Sequence, residues 1–86
     1  QRDKIIKDTI ETLGGINNVK FAHSSVNRLV VSLYDPTLLD VSKLNDLGSV
    51  RIYETKAGYA ICFGSASTMI RKGISKEIRE YVRQVK

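Results

Sequence analysis

Apolar residues recur at helical spacing at the start of the chain: Ile6, Ile10 and Leu13 fall on one side of a helix predicted over residues 3–13, with Gly14 and Gly15 behind it as a stop signal. Its stripe should lie on a sheet. Residues 19–24 and 28–34 have the alternation and β-rich composition of strands, with Leu29, Val31 and Leu33 on one face and Asp35-Pro36 ending the second run. They form a hairpin joined by a short loop at Ser25. Asp40 suits the N-cap of a short helix carrying Val41, Leu44 and Leu47, closed by Gly48 and seated by Leu38 and Leu39. Residues 50–55 and 59–63 form a second hairpin about Lys56-Ala57-Gly58, where glycine relieves the backbone at a tight turn. In its second strand Tyr59, Ile61 and Phe63 take one face, Ala60 and Cys62 the other. The last helix starts near Gly64-Ser65-Ala66-Ser67, where either serine can cap it, and runs through Ile70, Ile74, Ile78 and Val82. Gly73 within it costs about 1 kcal/mol of helix propensity relative to alanine, which the apolar stripe should outweigh.

The resulting order is α-β-β-α-β-β-α. Eighty-six residues make one domain with a single core, and 42% hydrophobic with 27% charged residues describe a globular chain rather than a disordered one. No run approaches the roughly 18 apolar residues that span a bilayer, and no signal peptide opens the sequence. The start at Gln1, without methionine, agrees with a fragment of a larger polypeptide. Cys62 is the one cysteine, so an internal disulfide is excluded. With His23 alone it builds neither a metal-ligand cluster nor a redox pair, and its expected role is packing in a reducing setting.

Charge adds one rival reading. Fourteen Lys and Arg against nine Asp and Glu give a formal net charge of +5, a footprint shared by nucleic-acid binders. Much of it lies on the last helix, at Arg71, Lys72, Lys76, Arg79, Arg83 and Lys86. Glu77 and Glu80 interrupt that series, and cations late in a helix complement its dipole, so a solvated face is the favoured reading. No basic strand with interleaved aromatics of the RNA-recognition type is visible, and Tyr34, Tyr53, Tyr59 and Tyr81 fall on different elements. A nucleic-acid partner is therefore not expected.

The segment most informative for function is Ser25-Val26-Asn27-Arg28-Leu29, between the first two strands. It resembles the Cys-Ile-Thr-Arg-Leu-Arg-Val loop and strand of enzyme IIB domains of the glucose and sucrose branch of the bacterial sugar phosphotransferase system. Leu44-Asn45-Asp46-Leu47-Gly48 is similar to that family's Leu-Lys-Lys-Leu-Gly, and the stretch from Gly58 to Gly64 resembles its Gly-Val-Gln-Ala-Ile-Phe-Gly strand. The likeness covers roughly residues 13–81. It implies an α/β (α+β) fold in which helices cover one face of a four-stranded antiparallel sheet of two hairpins. It also implies a single domain over residues 1–86, part of a membrane permease on the cytoplasmic side of the bacterial inner membrane. In that family a cysteine relays phosphate from a IIA phosphohistidine to sugar held by a membrane IIC domain. No metal or organic cofactor is implied.

Carried over residue by residue, the resemblance puts Ser25 at the phosphocysteine position, Arg28 as electrostatic stabiliser of the transferring group, and Val26 and Asn27 in the phosphate-contacting loop. Three positions depart from the pattern: Ser25 replaces cysteine, Val30 stands where a second arginine is usual, and Ala60 where glutamine is common. A thiolate is a strong nucleophile reachable near neutral pH, whereas a serine hydroxyl needs a general base held by a third group. His23, two residues away, shares the strand face of Ser25 but has no acidic orienter beside it in sequence. Two readings stay open: a IIB phosphoryl carrier, or a docking and regulatory module of the same fold that has lost phosphotransfer.

Overall fold

The computed structural model describes residues 2–49 and 51–85. Val50, expected to open the third strand, and Lys86, counted among the C-terminal charges, lie outside the described residues. Helix α1 (Arg2–Thr12) leads through a 3₁₀ turn (Ile16–Asn18) into β1 (Val19–Ser25) and β2 (Arg28–Leu33). After a second 3₁₀ turn (Pro36–Leu38) come α2 (Val41–Asp46), β3 (Arg51–Thr55) and β4 (Gly58–Cys62). A third 3₁₀ turn (Gly64–Ala66) runs into α3 (Ser67–Val85). The strands form one sheet in the order β1-β2-β4-β3 with antiparallel neighbours throughout, so the α+β architecture is the one expected.

Alternation along the strands decides which face is covered. Leu29, Val31, Leu33 and Ile61 point to the helices and bury against Leu13, Leu44, Ile70 and Ile74 in one cluster. Each such side chain contributes about 1.5–3 kcal/mol on full burial. Helix α2 supplies only Leu44 to that core, because Val41 is largely exposed and Leu47 half-buried. Leu39 packs on the cluster, while Leu38 remains exposed. Asp40 caps α2 as expected, its carboxylate accepting from the Lys43 amide at 3.1 Å.

Gly73 turns out to be a contact rather than a cost. A β-carbon there would fall 2.4 Å from Cδ1 of Ile6, so its absence lets α1 lie against α3. Neither Ser65 nor Ser67 caps α3, contrary to expectation: the 3₁₀ turn precedes Ser67, which is already helical, and the fully buried Ser67 hydroxyl has no hydrogen-bond partner among the described residues. Ser67→Ala should therefore leave the urea midpoint unchanged or raise stability by up to about 1 kcal/mol. A true cap would lose about that much.

Asn18 is a structural residue that the hydrophobic pattern did not mark. Its Nδ2 donates to the Leu13 carbonyl at 2.8 Å and the Asp35 carbonyl at 3.0 Å, and its Oδ1 accepts from the Asp35 amide at 2.8 Å. These bonds tie the end of α1 to the far end of the first hairpin, with Asn18 only 5% exposed. Asn18→Ala strands buried backbone groups and is expected to cost about 2–3 kcal/mol in denaturant unfolding.

Candidate functional site

The first hairpin ends in a bend open to solvent. Strand β1 continues through Ser25, one position beyond expectation, so Ser25 pairs with Arg28 and only Val26 and Asn27 form the turn. All four residues are exposed, Val26 at 90%. An apolar side chain so fully in water is available for contact with another surface. The Asn27 carbonyl accepts from the Gly64 amide at 3.1 Å, mooring the tip to the turn that opens α3. The partially positive end of that helix therefore lies on the same side of the molecule as Ser25.

The register decides what can activate Ser25. His23 and Ser25 do share the outer face of β1, opposite Val30 and Arg28. The imidazole, however, stacks on Phe21, with ring centroids 5.8 Å apart and planes 23° from parallel. No hydrogen bond joins His23 to Ser25 among the described residues, and no carboxylate orients the ring. Ser25 thus presents an ordinary hydroxyl rather than an activated nucleophile.

Arg28 is directed elsewhere. Its Nη1 donates to the Tyr53 hydroxyl, and that hydrogen bond, with the electrostatic pull of the same group, raises the guanidinium pKa above its already high ordinary value. Because β4 lies between β2 and β3, this side chain reaches across β4, away from its own cross-strand partner Ser25. The ring of Tyr53 also lies beneath Arg51, whose Cζ is 5.1 Å from the ring centroid. Val30, Ala60 and Tyr53 form one cross-strand row, and Ala60, 1% exposed, lies shaded between its two larger neighbours. Ala60 therefore sits directly beside Tyr53, and Val30 lies one strand further along the same row.

Sequence reasoning singled out neither Arg51 nor Tyr53. The alternation Arg51-Ile52-Tyr53, with Ile52 packed on the core, does place both outward. What it could not supply is the neighbour: β3 pairs with β4, which pairs with β2, and only that order brings Tyr53 within reach of Arg28.

No protein-family profile and no curated protein sequence matches the chain. A solved structure does: one domain of the PTS system IIabc component from Clostridium difficile, at a TM-score of 0.69 and 21% identity, over 92% of this chain and 80% of that one. The chain has the fold of a phosphotransferase-system domain. At this identity the likeness is one of backbone arrangement, and it agrees with the fold implied by the Ser25 to Arg28, Leu44 to Gly48 and Gly58 to Gly64 segments.

Other features of this phosphotransferase-system fold lie away from the tip. A groove of about 470 Å³ runs between α1 and α3, floored by Ile6, Ile10 and Gly73 and edged by Lys7, Glu11 and Lys76. On α3, Arg83 pairs with Glu80 at 3.3 Å on an exposed surface, as a solvated face would. Cys62 is a half-buried free thiol paired in register with Arg51. No cluster of three metal-ligating side chains occurs among the described residues, and none of their helices is long and apolar enough to cross a membrane.

Proposed function

We propose that this chain is a IIB-type domain of a bacterial sugar phosphotransferase permease, lying on the cytoplasmic side of the inner membrane as part of a longer polypeptide. Its partners are a phosphorylated IIA protein or domain and a membrane IIC domain that holds the sugar. The hairpin tip is the docking point, with Val26 in apolar contact, Asn27 as an amide donor and Arg28 meeting the phosphoryl-bearing surface. In this chain the tip receives the partner without itself carrying covalent phosphate. One observation carries that reading: Ser25 stands exposed at the end of β1 with no base in hydrogen-bond contact, while the adjacent Arg28 makes no ion pair among the described residues. The fold shared with a phosphotransferase-system domain supports the setting.

Titration of the chain with a phosphorylated IIA protein, followed by calorimetry, tests the docking. Arg28→Ala should weaken binding about fivefold, as loss of one exposed charge-assisted contact does. Unchanged affinity would remove the tip from the interface.

A further inference from the structure

Two guanidinium groups converge on one phenol at the open face of the sheet. Arg28 reaches Tyr53 from β2 and Arg51 covers its ring from the same strand as Tyr53, so the cations flank the Cys62 end of β4. Neither forms an ion pair among the described residues, where the only bridges are Lys4 with Asp8 and Arg83 with Glu80. Like charges held together without a carboxylate repel each other, and an oxyanion placed between them relieves that repulsion. The Tyr53 phenol touches both cations, through its hydroxyl and its ring face, so it positions the pair.

We infer that Arg51 is the second cation of a phosphoryl-binding site shared with Arg28, with Tyr53 as the positioning residue that holds both. The site takes a phosphate monoester or phosphoramidate group in its dianionic form, bound by charge-assisted hydrogen bonds and without a covalent step. The small side chain of Ala60 is what allows the site, because it leaves the row between Val30 and Tyr53 low enough for Tyr53 to meet Arg28. The site is centred over β4, so an anion held there lies to the side of Ser25 and is retained rather than transferred. This inference deepens the docking role proposed above and rests on it.

The probe is inorganic phosphate at low ionic strength, with the arginine Nε–Hε resonances of the 86-residue chain followed by NMR and acetate as a control. The resonances of Arg28 and Arg51 should shift along one saturating curve, with acetate producing far smaller shifts. Arg51→Gln should weaken phosphate about threefold and Arg51→Lys should recover part of the loss, both with backbone spectra unchanged away from the site. Tyr53→Phe should move the Arg28 resonance before any phosphate is added, while the ring beneath Arg51 is kept. Movement of Arg28 alone, with the Arg51→Gln curve superposing on the parent, overturns the inference. Absence of any shift at either arginine also overturns it. In both cases the phosphorylated-IIA titration of Arg28→Ala decides the docking role separately.

Discussion

Gly58→Ala is expected to cost this domain about 3–5 kcal/mol. Gly58 has a φ of +144°, and a β-carbon on it would lie 2.0 Å from the Val31 carbonyl oxygen and 2.9 Å from Ser32 Cα. Both obstacles are backbone of β2, which cannot swing aside as a side chain does. The backbone strain contributes about 1–3 kcal/mol and the overpacking about 1–3 kcal/mol more. Relief by moving β4 away would break its pairing with β2, the step that joins the two hairpins into one sheet. Against a total stability on the order of 5–15 kcal/mol, this change should lower the thermal midpoint by roughly 15 °C or more. Calorimetry or circular dichroism melting checks it, and a midpoint within about 5 °C of the parent would mean that β2 does not press on residue 58.

The second large effect is a gain. Ser25→Cys, made in a Cys62→Ala background so that only one thiol is present, should accept phosphate from a phosphorylated IIA protein at least about 100-fold faster than the serine parent. In that reaction the P–N bond of the phosphohistidine breaks and an S–P bond forms, with the thiol proton already lost to solvent. A thiol of pKa about 8.5 is a few per cent thiolate at pH 7, and cationic surroundings raise that fraction. A serine hydroxyl has no comparable population of its anion, and here His23 is stacked on Phe21 instead of serving as its base. Radiolabelled phosphate or intact-mass measurement reads the outcome directly. Stoichiometric phosphate on Ser25 of the parent would contradict the non-carrier reading, and a Ser25→Cys variant that stays unlabelled would place the acceptor position elsewhere.

Together these changes separate what holds the fold from what the tip does. Gly58, Asn18 and Gly73 act through backbone contact, hydrogen bonding and helix approach far from any chemistry. Ser25, Val26, Asn27 and Arg28 are exposed and make few contacts, so their substitution should leave the melting transition nearly unchanged. A large loss of stability in Arg28→Ala would indicate that its bond to Tyr53 is structural, contrary to the exposed position of the side chain.

Much of the molecule was legible in its residues. Alternation at Leu29, Val31 and Leu33 and helical spacing at Ile70, Ile74 and Ile78 are local consequences of side-chain geometry, so the order of the main elements and the inner faces of β2 and α3 followed from them, whereas Val41 and Val82, expected on apolar stripes, are exposed. Asp40 as a cap and the bend after Ser25 are equally local. The errors arose where a local rule met a distant neighbour. Ser67 has the chemistry of a cap, but packing draws it inside the first turn of α3 and buries its hydroxyl. Gly73 has a poor helix propensity, yet Ile6, far away in sequence, needs the space.

An α-β-β-α-β-β-α order, the apolar faces of the long elements and a bend near residues 25–28 are written in the residues themselves, because those properties are set within a few positions of each other. The packed fold alone places β4 between β2 and β3, turns Arg28 from Ser25 toward Tyr53 and brings Arg51 to the same ring. Strand order and long side-chain reach depend on which surfaces pack together once the core closes, and no window of sequence contains both partners of such a contact.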